Sequence, residues 1–352
     1  VTQAPVRADD EAVVERAIEL LRAADLGLPG LDENGRRLAA LLRSVAGGPA
    51  PAEPTGTVPA TDAPHASRVE NVTSVTHAAD ELPCVVREWA RAMGVTEAAF
   101  RADRRAFLRG DLAGVELCPR ALVRAAVPRL RGLAALPEGH RLSLVWTRDR
   151  PSVTFPVRIP GRSAVALPDR PAPLCAQYVH HELGHAMELA WRSPGLPLAE
   201  RWRRPPVIAE WGALVVETLG LSAAWLVSLG VPADTAERVA AHCRYEDRYT
   251  RALAALILRC AARPERLAEE VAQVAGDLID PGHVREETER AGYWSAVFEG
   301  HALADRTVAG FTERWGARWW EETRSWRELR EQLTAGPAGR SSNGPASNGP
   351  AR

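Results

Sequence analysis

The chain has 352 residues, 46% of them apolar, which is enough length and hydrophobic content to bury a substantial core. Its 44 basic and 45 acidic residues leave a net charge of -1, so there is no electrostatic case for nucleic acid or an anionic membrane surface as partner. Five cysteines, odd in number and without C-x-x-C spacing, read as free thiols in a reducing compartment. The polar, acidic N-terminus and the lack of any apolar run near the roughly 18 residues of a span give a cytoplasmic expectation.

Residues 9–46 read as two amphipathic helices separated by the turn Gly27-Leu28-Pro29-Gly30. The stretch that follows is rich in Pro, Ala, Gly and Thr, so the expected organisation is N-terminal helices at 1–46 and a flexible linker at 47–78. One large domain is expected at 79–335, and the repeat Ser-Asn-Gly-Pro-Ala at 342–346 and 347–351 marks 336–352 as a disordered tail. From Ala79 to Leu136 the pattern is helical, with breaks expected near Gly94, Gly110-Asp111 and Pro128. Three strands follow at Arg141 to Trp146, Val153 to Ile159 and Ser163 to Leu167, separated by turns that contain Pro or Gly. Beyond them the chain reads as helical almost to its end, including a long segment from Thr235 to Ala262, and the eleven tryptophans read as core filling.

The chemistry is carried by His181-Glu182-Leu183-Gly184-His185. On a helix, residues four apart share a face, so both imidazoles can reach one tetrahedral ion while Glu182 stands beside the open position. A carboxylate there can take a proton from the attacking water and hand it to a leaving amine. The bounds suit a helix from Leu174 to Trp191: Pro171 and Pro173 precede it and Pro194-Gly195 follow. A stripe of Val179, Leu183, Met187 and Ala190 would bury one side. Gly184, costly inside a helix, implies a close neighbour. A di-iron centre would need a second Glu-x-x-His, and there is none.

A catalytic zinc keeps three protein ligands and an open position. Position 191 is Trp, so the third ligand is sought among Glu188, Glu200, Glu210 and Glu217. Glu188 is only three residues past His185 and is better placed to orient a ligand than to complete a tetrahedron, and Glu200 lies in a Pro- and Arg-rich connector. Val207 to Glu217 reads as a buried helix with Glu210 and Glu217 two turns apart on one face. Glu210 is therefore read as the ligand and Glu217 as a carboxylate that holds a histidine nitrogen.

His181-Glu182-Leu183-Gly184-His185-Ala186, with Glu210 and then Glu217 downstream, resembles the thimet oligopeptidase and oligoendopeptidase F family of zinc peptidases, over about residues 165–315. The resemblance implies one Zn2+ on His181, His185 and Glu210, with Glu182 as general base and acid. It also implies that His283 and Tyr293, in and before Ala291-Gly292-Tyr293-Trp294, contact the substrate carbonyl and its tetrahedral intermediate. Thr288 and Ala296 stand near places where the family carries tyrosines, Glu188 where many members have histidine, and Ala213 where a serine is common.

The resulting expectation is a mainly α fold with a zincin-like catalytic core and a small β-sheet before the metal-binding helix. Its function is expected to be peptide-bond hydrolysis through a metal-activated water. An edge strand of that sheet could hold an extended peptide by main-chain hydrogen bonds, or the sheet could simply back the helix. Two alternatives stay open: a zinc enzyme acting on a non-peptide or modified small molecule in a biosynthetic pathway, and a non-catalytic metal-binding scaffold. A fourth protein ligand would favour the scaffold. Oligomeric state is not specified by the sequence.

Overall fold

The structure, a computed structural model, describes residues 75–96, 117–148, 151–196, 201–276 and 278–335, apart from positions 76, 93, 95 and 203. The helices expected at 9–46, nearly all of the linker at 47–78, the Gly110-Asp111 break, Glu200 and the tail at 336–352 lie outside the described residues.

Helices α1 (Leu82–Ala92) and α2 (Pro119–Gly132) precede the strands β1 (Arg141–Thr147), β2 (Val153–Arg158) and β3 (Arg162–Pro168). Pro128 lies inside α2 and does not end it, in contrast to the expected break, whereas Gly94 does stand in a left-handed turn at φ +67°. After the sheet come α3 (Cys175–Trp191), α4 (Pro206–Gly220), α5 (Ala223–Ser228) and α6 (Ala233–Ala262). Four more helices follow: α7 (Leu267–Ala275), α8 (Pro281–Thr288), α9 (Ala291–Trp315) and α10 (Thr323–Ala335). The molecule is thus mainly helical with one small sheet, as expected.

The sheet has the order β1-β3-β2, with β1 parallel and β2 antiparallel to β3. β3 is central and buried along most of its length, which suits its run Ser163-Ala164-Val165-Ala166-Leu167. Thr154 pairs with Val165 in the β2–β3 register. Helix α3 rests on β2 and β3 with one side and on α4 with another; α4 also packs on α9, and α9 on α6.

Two apolar clusters result. The first gathers Val179, Leu183 and Met187 of α3 with Val215, Val216 and Leu219 of α4 and the rings of Trp211, Trp225 and Trp319. The second joins α1, the later half of α6 and α7 around Trp89, Tyr249 and Leu256. The tryptophans fill core space as expected, with Trp89, Trp211, Trp225, Trp319 and Trp326 all fully buried. Their indole N–H groups are satisfied where they sit deepest: Trp211 donates to Thr307 Oγ1 at 3.0 Å and Trp326 to the Trp320 carbonyl at 2.8 Å.

The crossing of α3 and α4 positions the site. The two helices run antiparallel, and glycine lets them touch at both ends of the contact. A Cβ on Gly184 would stand 2.6 Å from Ala213 Cα, and one on Gly220 would collide with the Ala176 carbonyl. Gly184 in a helix interior costs about 1 kcal/mol against Ala, and the backbone approach it permits is the compensation. With 184 opposite 213 and 176 opposite 220, the register brings His185 across from Glu210 and His181 across from Glu217.

Candidate metal centre

His181 and His185 turn their rings toward each other on the α3 face that meets α4, with centroids 4.7 Å apart and planes at 87°. Their Nε2 atoms are 3.1 Å apart. Glu210, one turn into α4, sends Oε2 to 3.8 Å from His181 Nε2 and Oε1 to 3.8 Å from His185 Nε2. His181, His185 and Glu210 thus offer ligand atoms that all lie within 4.8 Å of one another, and among the described residues no fourth His, Cys, Asp or Glu joins them.

The geometry fits a tetrahedral cation. Two nitrogens at zinc distance from one ion stand about 3.3 Å apart, close to the spacing here. Glu210 Oε2 is buried and has no hydrogen-bond partner, a costly arrangement for a carboxylate oxygen that a cation would relieve. The imidazoles keep 21% and 19% of their side-chain area exposed.

Behind the imidazoles, Glu217 Oε2 accepts Nδ1–H of His181 at 2.7 Å, and its Oε1 accepts from Gln177 Nε2 at 2.6 Å. This fixes the tautomer of His181 and aims its Nε2 lone pair at the site. Burial opposes a charge on His181, but its hydrogen bond to Glu217 and the carboxylates of Glu217, Glu210 and Glu182 hold its pKa up at about 10. Burial, and then the charge on His181, push His185 well below the usual histidine range. The carboxyls of Glu217, Glu210 and Glu182 thus favour positive charge at the imidazoles, which suits the site to a cation.

Glu182 sits beside this cluster, 4% exposed. Burial raises its pKa, opposed by the charge on His181 and by hydrogen bonds from Thr154 and Ser152. Glu210 is raised too, again by burial first, with His181 pulling the other way.

Helix α9 covers the same region. A Cβ on Gly300 would meet Glu210 Cβ at 3.0 Å and Trp211 N at 3.2 Å, so this turn of α9 lies directly on the proposed ligand. Tyr293 is seven residues earlier, two turns along the same face. It is 41% exposed as a residue, and desolvation followed by the Glu210 carboxylate raises the pKa of its phenol.

Three other residues have clear placements. Glu188 is buried, but its carboxylate accepts from Arg192 Nε at 2.9 Å and lies 3.3 Å from Arg204 Nη1, so it ties α3 to the segment before α4 and bonds neither imidazole. His283, on α8, makes no hydrogen bond or ion pair with His181, His185 or Glu210. The histidine of this half of the chain that feels the charge on His181 is His301, with Nδ1 3.5 Å from Asp247 Oδ1.

Several participants escaped the sequence reading. Gln177 was legible in principle, since it precedes His181 by four residues and shares its face. Ser152 and Thr154 were not, because nothing in a strand's own pattern says which helix residue will lie over it. His180, next to the motif, belongs to the core: its Nδ1 donates to the Ala176 carbonyl at 2.5 Å and its Nε2 accepts from Trp225 Nε1 at 2.7 Å. Burial lowers its pKa to about 4, so it stays neutral.

Comparison with protein-family models, with curated proteins and with solved structures finds no match to this chain.

Proposed function

We propose that the chain is a single-zinc metallohydrolase of zincin-like architecture that cleaves peptide bonds, with His181, His185 and Glu210 as ligands and Glu182 as general base. The observation that carries this reading is the convergence of two imidazoles and one carboxylate, with no fourth ligand among the described residues, next to a buried glutamate. A structural zinc site is closed by four protein ligands and has no use for a base. A zinc ion held there would polarise a scissile carbonyl and ease deprotonation of water.

The chain's own groups do the rest. Glu182 takes the proton of the attacking water and returns it to the leaving amine, for which a carboxyl pKa above the ordinary value is suited. Glu217 and Gln177 keep the His181 ring in place. Tyr293, near Glu210 and open to solvent, is the candidate donor to the oxyanion. β2 ends the sheet next to α3, so its outer edge is available to an extended peptide. The five unpaired thiols accord with a cytoplasmic setting. Among the described residues, no helix is long and apolar enough to cross a membrane.

A second reading is hydrolysis of a non-peptide or modified small molecule. It is favoured by Thr288 and Ala296, which stand where the family's tyrosines would meet a peptide. One experiment addresses both: metal analysis of the purified chain with a peptide-library digest, wild type against Glu182→Gln. Zinc in both proteins and cleavage by the wild type alone is the expected result. Zinc without any peptide cleavage favours the second reading, and full activity in Glu182→Gln overturns the mechanism.

A further inference from the structure

We propose that Thr154, assisted by Ser152, is a positioning residue that holds the Glu182 carboxylate in its working orientation, so that the edge strand β2 sets the geometry of the base. This rests on the metallohydrolase reading above and adds a device that the motif does not contain.

Thr154 Oγ1 lies 2.7 Å from Glu182 Oε2 and 2.9 Å from the Glu182 carbonyl oxygen. A threonine hydroxyl has one proton to give. A helix carbonyl already accepts a backbone N–H, while a carboxylate is the stronger acceptor, so the proton belongs on Oε2. Ser152, just before β2, adds a further side-chain interaction that favours the charged carboxylate.

Glu182 needs such a hold. The face of α3 that meets α4 carries His181 and His185, and Glu182 is rotated about 100° from His181, toward the sheet. A free glutamate side chain gives up rotamer freedom when it is ordered, and a base misplaced by about 1 Å can cost 100-fold in rate. Neither imidazole can hold it, because each directs its Nε2 to the ion site. The Thr154 hydroxyl donates to the carboxylate from β2, the edge strand beside which an extended substrate would lie.

A purely structural role, in which Thr154 only fastens β2 to α3, makes a different prediction, and a double-mutant cycle separates the two. The probe is acetohydroxamate binding to the zinc-loaded full chain by calorimetry, because a hydroxamate chelates the ion and gives its proton to a base beside it. Thr154→Val keeps the side-chain shape and removes the donor. It is expected to leave zinc content unchanged, to weaken acetohydroxamate by about 10-fold and to lower kcat by about 100-fold with KM little changed. Thr154→Ser should recover most of both. In a Glu182→Gln background, which cannot take the proton, Thr154→Val should change hydroxamate affinity by less than about 2-fold.

An equal loss in both backgrounds, or none in either, overturns the proposal. Should Thr154→Val not fold, Ser152→Ala, outside the strand, carries the same cycle with a smaller expected effect. A wild-type chain that takes up no zinc sinks the metallohydrolase reading and this one with it. A zinc-loaded chain indifferent to both substitutions sinks this one alone.

Discussion

Glu217 Oε2 accepts the Nδ1–H of His181 at 2.7 Å, while the other oxygen of the same carboxylate is held by Gln177 at 2.6 Å. The chain of Gln177 and Glu217 orients His181, the first of the proposed ligands, from behind. Carboxylates in this position raise the basicity of the imidazole they hold, and their removal costs about 10–100-fold in metal affinity. Glu217→Gln is therefore expected to weaken zinc within that range, and Gln177→Leu by less, as measured by chelator competition. Unchanged affinity in Glu217→Gln would mean that His181 is held by its own packing.

The proposed ligands themselves predict a larger effect. An ion that binds only the folded chain stabilises it by about 2.7 kcal/mol at a hundredfold excess over Kd. Chelation should therefore lower the thermal midpoint of the wild type. His185→Ala and Glu210→Ala should start from the lower value and respond little to chelator or to added zinc. If Glu210→Ala keeps the full zinc-dependent shift, the third ligand lies elsewhere.

Glycine contacts set the register that makes the site. A Cβ on Gly184 would stand 2.6 Å from Ala213 Cα and 2.9 Å from its carbonyl oxygen, both backbone atoms that cannot turn away. Gly184→Ala gains helix propensity but must push α3 from α4, and overpacking of this kind costs about 1–3 kcal/mol. Zinc affinity should fall along with stability, because the same displacement parts His185 from Glu210. Gly300→Ala meets a side-chain Cβ at 3.0 Å and a backbone nitrogen at 3.2 Å, and a smaller loss is expected. Urea unfolding with and without zinc measures both. A Gly184→Ala protein of wild-type stability would show that the crossing can widen freely.

These contacts also explain what the sequence could convey. The helix of His181 and His185 and the helix of Glu210 and Glu217 were legible because each is a local pattern that starts just after prolines. Gly184 announced a close neighbour but not its identity; Ala213 became known only from the crossing. Glu188 shows the limit from the other side. Three residues from His185 it reads as part of the site, yet Arg192, one turn on, and Arg204 from the connector claim its carboxylate. Charge partners that arrive from distant segments leave no trace in local spacing. The same holds for Thr154, whose strand parity was readable but whose partner across the sheet–helix interface was not.

A last prediction concerns pH and a buried histidine outside the proposed ligand set. His242 on α6 is 3% exposed and accepts the indole N–H of Trp89 at Nδ1, 3.1 Å away. Burial lowers its pKa to about 4, from an ordinary value of 6.5. The unfolded chain therefore binds a proton at this residue between pH 6.5 and about 4 while the folded chain does not, and stability falls as pH drops through that window. The shift corresponds to roughly 3 kcal/mol lost at the acid end, an upper value for one residue. His242→Gln keeps an acceptor for Trp89 and cannot titrate. Its urea midpoint should depend less on pH below 6.5 than that of the wild type, with the two curves converging toward acid. Parallel curves across the window would place the titration on another group.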